Sequence, residues 1–335
     1  MKAIVSNLAC ILLILISCGK GGNDIDTSNI NVDVKIKRFE KDLFEIDPSR
    51  LEEHITQLER KYGRFFQIFN YRIIKIGSSQ DKEYPELLRL FVTDYINFKL
   101  YERTMEVFPD LTELTHGIEE CFKRYKYYFH TRPVPEIITY ISGFNQSAVS
   151  DENLLAIGLD KYLGRNEEFY KELGGLYDYI VVNMHKDKIL SDCMRLWATT
   201  EFEFNDSANS LINNMIYEGK IMYFVDAMLP NQSDTLKWGF TEPQLRFCRN
   251  NEKQMWAYII ENKLVFNSDK FRINQFIREG PFTKDFTRES PARAAVWLGY
   301  NIVSAYMNKN KKLNLRDLMY ENDYMKILNN SGYNP

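Results

Sequence analysis

The sequence predicts a mostly α fold of the α+β class: one helical domain carrying a small antiparallel β-hairpin or sheet. Three observations lead there. Apolar residues recur at intervals of three and four along most of the chain, the pattern of helices that bury one face. Only one stretch, Ile137 to Leu159, combines β-branched and aromatic runs with turn chemistry between them. No repeat of fixed period and no Pro/Gly-rich linker divides residues 34–335, and with 44% apolar and 27% charged residues among 335 the chain has material for a sizeable core.

From the N-terminus, Lys2 followed by the apolar run Leu8 to Ile16 has the order of a signal peptide, residues 1–17. The run is short for a membrane span and ends in Leu15-Ile16-Ser17-Cys18, which matches a bacterial lipobox. Cys18 is therefore the expected lipidated first residue; Asn7-Leu8-Ala9 before Cys10 matches less well, and a secretory signal without lipid is the alternative. Residues 18–33 read as the lipidated cysteine and a flexible tether, rich in Gly, Asn, Asp and Ser without apolar period. Residues 34–335 form the domain. It opens on the strand-like alternation Val32 to Ile36, and Asp47-Pro48 then starts a helix with proline in its first turn. Leu87, Leu88, Phe91, Val92, Tyr95 and Phe98 predict one long amphipathic helix after Pro85; a second runs from Leu111 to Phe129 and is closed by Pro133 and Pro135.

Ile137 to Ile141 and Leu154 to Leu159 are the expected hairpin strands, with Ser150 to Asn153 as the turn. Helices follow at about residues 187–204, 207–228, 242–262, 270–279, 291–308 and 314–329. Thr241-Glu242-Pro243-Gln244 is a capping box, and Ser290-Pro291 reads as N-cap and first helical residue.

A net charge of −3 without a long Lys/Arg run gives no electrostatic footprint for nucleic acid. His54, His116, His130 and His185 include no pair at helical metal-ligand spacing, and there is no His-Glu-x-x-His, P-loop, nucleophile elbow, dinucleotide glycine fingerprint or Cys/His zinc spacing. Neither a metal nor another cofactor is expected. Cys121, Cys193 and Cys248 lie in apolar helical patterns and read as buried free thiols.

One helix carries a polar residue where an apolar one belongs. Leu211, Met215, Glu218, Met222, Val225 and Leu229 form a core-facing stripe, so the Glu218 carboxylate is expected to be partly buried, either bracing the core against an Arg or Tyr or handling a proton. Gly219 beside it, costly in a helix interior, points to close approach by another element, and Ala295 and Gly299 would admit a neighbouring helix in the same way. Arg293 has the wrong charge for a helix start, so either an acid holds it, Glu218 being a candidate, or it faces solvent. Tyr125, Tyr127, Tyr128 and Phe129 fit helix core or an aromatic platform.

Several segments keep a common order: Leu159-Asp160-Lys161-Tyr162-Leu163-Gly164, Glu218-Gly219-Lys220 with Tyr223 and Leu229-Pro230, Pro281-Phe282-Thr283, and Ser290-Pro291-x-Arg293 with Trp297 and Gly299. Ile302-Val303 with Tyr306-Met307, and an ending with Ile327-Leu328, Ser331, Tyr333 and Pro335, complete the set. From about Phe39 to the C-terminus this resembles the gliding-motility lipoprotein GldB family of the Bacteroidota. The resemblance implies a membrane-anchored envelope lipoprotein linked to the gliding apparatus or its protein-secretion machinery, though members also occur in bacteria that do not glide. Gly19-Lys20-Gly21-Gly22 ahead of Asp24 favours the periplasmic side of the outer membrane over surface display.

The family is in turn similar to zincin-type zinc peptidases, in which a His-Glu-x-x-His helix precedes a helix whose Glu-Gly pair supplies the third zinc ligand. Glu218-Gly219 falls at that place, but the preceding helix, Asp187 to Trp197, has neither histidine nor base. The resemblance thus implies a non-catalytic, peptidase-like binding or scaffold protein. Its binding residues would be Glu218, Arg293 and Tyr300, with an extended peptide pairing along Ile137 to Ile141 or Leu154 to Leu159. The alternatives are a membrane-anchored hydrolase using Glu218 with Asp160 or Asp192, and a purely structural scaffold.

Overall fold

The architecture, taken from a computed structural model, is described for residues 25–172, 176–205 and 209–335; the expected signal peptide and Cys18 lie outside them. Val32 and Val34 are already packed into the core, so the body starts at the end of the expected tether. Strand β1 (Ile36–Arg38) leads into α1 (Phe39–Phe44), and α2 (Leu51–Ile68) follows a short turn capped by the Asp47 carboxylate. The long helix expected after Pro85 is two: α3 (Tyr84–Thr93) and α4 (Tyr95–Val107). Asp94 breaks them by leaving the helical region and accepting from Asn97 N, a local cap that outcompetes helix continuation. Helix α5 (Thr112–Tyr128) runs where periodicity placed it.

The sheet comprises β1, β2 (Glu136–Tyr140), β3 (Ala148–Asp151) and β4 (Leu154–Gly158) in the order β1-β2-β4-β3. The mostly α class with one small sheet is therefore as expected, but the pairing differs. The two apolar runs expected to form the hairpin are neighbours running parallel, Ile137 beside Leu155 and Tyr140 beside Gly158. The antiparallel hairpin is β3 with β4, and Ser150 and Asp151 belong to its first strand rather than to the turn. The turn is Glu152-Asn153, with Asn153 left-handed at φ 57°. Continuous apolar runs suit strands covered on both faces and paired on both edges, and both β2 and β4 are interior. Neither can take an added chain, which removes them as the expected peptide-pairing strands; the free edges belong to β1 and β3.

Short helices α6 (Glu168–Glu172) and α7 (Asp178–Val181) precede α8 (Ile189–Glu201), which packs along β3 and β4. Helix α9 (Leu211–Met228) is the hub, packed by α5, α8, α13 and α15 and buried nearly all round, not along one stripe. Then come α10 (Asp234–Trp238), α11 (Glu242–Glu261) with the expected capping box at Thr241, and α12 (Lys270–Ile277). Helix α13 (Ala294–Lys309) crosses α9. The last expected helix is again two, α14 (Leu315–Tyr320) and α15 (Tyr324–Ser331), because Asp323 caps the second by accepting from Lys326 N.

Large rings fill the interior. Phe39, Phe65 and Phe69 form edge-to-face and tilted pairs with one another and with Tyr140 of β2, fastening the N-terminal helices to the sheet. Tyr125, Phe122, Trp197 and Phe224 do the same between α5, α8 and α9. Of the aromatic run on α5, Tyr125 and Phe129 are core while Tyr127 is exposed.

Candidate functional site

Glu218 on α9 is partly buried and accepts from Arg195 Nη2 of α8 at 3.3 Å. Arg195 also reaches Glu279 Oε1 at 3.3 Å, and the same Glu279 oxygen lies 2.9 Å from Arg293 Nε. A chain of alternating charge therefore runs Glu218, Arg195, Glu279, Arg293. The acid touching Arg293 is Glu279, which follows α12, and not Glu218.

Arg293 is 5% exposed and stands at the start of α13 in the left-handed region, φ 58°. Ser290 is not the N-cap of this helix. Its hydroxyl donates to Thr287 O at 2.7 Å, while Thr283 Oγ1 accepts from Ala294 N at 3.1 Å and donates to Pro291 O at 2.8 Å. A threonine eleven residues upstream thus caps α13 from outside, and Thr283 and the segment Ser290–Arg293 form one buried unit that fixes Arg293. The guanidinium donates from Nη2 to Trp238 O at 2.8 Å and lies over the Phe240 ring. Its Nη1 has no hydrogen-bond partner among the described residues, and Nε meets Glu279 without the alignment of a hydrogen bond. Burial, and then repulsion from Arg195, hold Arg293 below the usual arginine range.

Arg195, Glu279 and Arg293, but not Glu218, border a cavity of about 180 Å³ that also meets Lys161, Tyr162, Lys188, Asp192 and Lys237. Lys188, Asp192 and Arg195 come from one face of α8 and its entry turn, at helical spacing of four and three. Lys188 donates to Asp192 Oδ1 at 2.7 Å and to Ser191 Oγ at 2.9 Å, and Tyr162 OH donates to Asp192 Oδ2 at 3.1 Å. Lys237 is held by Asp226 and Asp234. Lys161, 8% exposed, makes no hydrogen bond or ion pair with any described residue, and burial pushes its ammonium below the usual lysine range against the pull of Asp160.

The cavity opens into a shallower groove of about 350 Å³ between the start of β3 and α8, where Ser147, Ala148, Leu196 and Thr199 face one another. Ser147, Tyr162, Asp192 and Arg195 border both. Along β3, Gly158 N donates to Ser147 O, and Val149 and Asp151 stand opposite Ala156 and Leu154. In an antiparallel pair the hydrogen-bonded residues alternate, so Ala148 and Ser150 turn their backbone N–H and C=O groups outward, away from β4.

The remaining expected residues lie apart. Asp160, fully buried after β4, takes three bonds on Oδ2, from Ser142 N, Ser142 Oγ and Phe144 N at 3.1, 3.0 and 2.7 Å. It pins the loop entering β3 and does not border the cavity. Burial outweighs those three donors and lifts its pKa to about 6. Tyr300 donates to Asp226 Oδ2 and stacks edge-on against Trp238, one layer behind the cavity wall. Asp192 and Glu218 share Arg195 as neighbour, but Asp160 joins neither.

Sequence reasoning passed over Lys161, Lys188, Arg195, Lys237 and Glu279. The signal for the helical members is the charged set at 188, 192 and 195, spaced to lie on one helix face.

The zinc site that the zincin resemblance implies does not fit these residues. Glu218 is engaged by Arg195, α8 offers no imidazole, and no three His, Cys, Asp or Glu side chains converge among the described residues. Two guanidiniums put positive charge where a cation would have to bind.

The model of one family, described as gliding motility protein GldB, matches residues 20–335. No curated protein and no solved structure matches the chain.

Proposed function

The chain belongs to the GldB family of gliding-motility lipoproteins, and on that premise we propose that it is a non-catalytic envelope protein that captures an extended segment of a partner by strand addition to β3. The lipid on Cys18 would hold it at the periplasmic face of the outer membrane, among proteins of the gliding or secretion machinery. One observation carries the binding reading: Ala148 and Ser150 turn backbone groups without a described partner outward on an edge strand, and Ala148 lines a groove whose other side is α8. Side chains of an added strand would fall alternately towards Leu196 and Thr199 and towards solvent, which gives the groove a means of selection.

The charge chain supports the absence of catalysis. Glu218 and Asp192 are each occupied by a cation, and among the described residues no histidine stands beside either to relay a proton. A hydrolase built on Glu218 makes a different prediction, namely that Glu218→Gln abolishes an activity without loss of stability.

The test uses a degenerate hexapeptide library on the lipid-free protein. Ala148→Pro with Ser150→Pro removes the two outward N–H donors of an edge strand without removing a ladder bond. Retention of library peptides by the native chain, at least tenfold lower in the double variant with its helical circular dichroism unchanged, is the expected result. Equal retention by both overturns strand addition.

A further inference from the structure

We propose that the cationic cavity at the head of β3 receives the C-terminal carboxylate of the extended chain, a role that rests on the strand-addition reading above. Direction comes first. A strand added antiparallel to β3 runs against the course from Ala148 to Asp151, so its C-terminal end arrives beside Ser147, which lines the groove and the cavity alike. A parallel strand would bring an N-terminal ammonium to the same place, where the groups left without a partner, Lys161 and Arg293 Nη1, are themselves cationic and would repel it. Charge therefore selects the antiparallel direction.

Within that wall, Lys188, Arg195 and Lys237 are already committed to acids. Lys161 and Arg293 are the groups with donors to spare: an ammonium on a largely buried side chain without any described partner, and a buried guanidinium whose Nη1 is unsatisfied. A buried donor left without an acceptor is costly, and an incoming carboxylate would supply one to Arg293 Nη1 and draw the Lys161 ammonium to it. Because acids already pair Lys188, Arg195, Lys237 and Arg293, little positive charge is left to meet, and a monoanionic carboxylate suits the site better than phosphate. A volume of about 180 Å³ is below the ~300–1,000 Å³ of ordinary small-molecule sites and fits a single chain end.

The experiment compares retention of the degenerate hexapeptide library as free acids and as C-terminal carboxamides. Free acids are expected to bind at least tenfold more tightly, and Lys161→Met is expected to erase that difference while leaving the thermal midpoint unchanged or higher, since Lys161 makes no hydrogen bond or ion pair with a described residue that the substitution would break. Equal binding of acids and amides overturns the carboxylate pocket and leaves strand addition standing. Retention of neither form overturns strand addition, and the chain-end assignment with it. In that last case, a response of the ¹³C-methylated Lys161 resonance to N-acetylalaninate would reassign the cavity to free carboxylates, and a stronger response to inorganic phosphate would overturn the monoanion assignment. An acid-over-amide preference that survives in Lys161→Met also refutes the proposal.

Discussion

Gly219 of α9 and Gly299 of α13 lie backbone against backbone: a Cβ added to Gly219 would sit 2.4 Å from the carbonyl carbon of Gly299, and one added to Gly299 would sit 1.8 Å from Met215 O. Both distances are inside van der Waals contact with main-chain atoms, which cannot swing aside as a side chain would. The two helices therefore cross at a separation that only hydrogen atoms permit, and each glycine's cost in helix propensity is offset by the close packing it allows.

Gly299→Ala should separate the helices and lower stability by roughly 2–4 kcal/mol, more than the ~1 kcal/mol that alanine's propensity returns. Gly219→Ala should act in the same direction. Urea unfolding of both variants measures this; a variant as stable as the parent would show that the helices part without penalty.

Asp160 makes stability depend on acid pH in an unusual sense. Its folded pKa of about 6 lies above the ordinary 3.8, so the folded chain holds the proton more tightly. Its penalty is absent below pH 3.8, grows as pH rises from about 4 to 6, and is complete above that, amounting to about 3 kcal/mol at ~1.4 kcal/mol per unit. Asp160→Asn should therefore gain stability relative to the parent between pH 4.5 and 7. Parallel pH profiles of the urea midpoint would refute the account. Asp160→Ala, which strands the Ser142 and Phe144 donors, should destabilise by a few kcal/mol at any pH.

The pair Arg195 and Glu218 braces α8 against α9. Glu218→Gln should lower stability by about 1–2 kcal/mol, and the loss should shrink when Arg195 is already methionine. A double-mutant cycle on thermal or urea unfolding measures the coupling, and a coupling near zero would remove the bracing role.

Cys121, Cys193 and Cys248 are buried, and desolvation raises all three thiols well above the usual range, Cys121 and Cys248 to about 12. Only the thiolate reacts. In the lipid-free chain no thiol from these three should titrate with Ellman's reagent until denaturant is added; rapid labelling of any one in the native state would contradict its placement in the core.

Much of this was legible along the chain. The helix from Thr112 to Tyr128, the capping box at Thr241 and the free buried cysteines were all readable because each depends on side-chain chemistry within a turn or two. Gly219 and Gly299 were recognisable as points of close approach, since glycine inside a helix has few other uses. The breaks at Asp94 and Asp323 were missed because an apolar period continues across them while a carboxylate caps the next helix locally. The strand pairing was missed for a different reason. Ile137 to Ile141 and Leu154 to Leu159 look the same whether they form a hairpin or lie parallel in the middle of a sheet, and only the position of β3 separates the two.

By itself, then, the sequence determined the mostly α class, the family through its ordered motifs, and the partly buried place of Glu218, since these follow from residue types at short spacing. The tertiary structure alone decided that Thr283 caps α13, that Glu279 and not Glu218 touches Arg293, and that Lys161 and Arg293 keep donors unmet beside a free strand edge. Ion pairs and sheet edges are settled by distances between residues far apart in the chain, and no local pattern carries those distances.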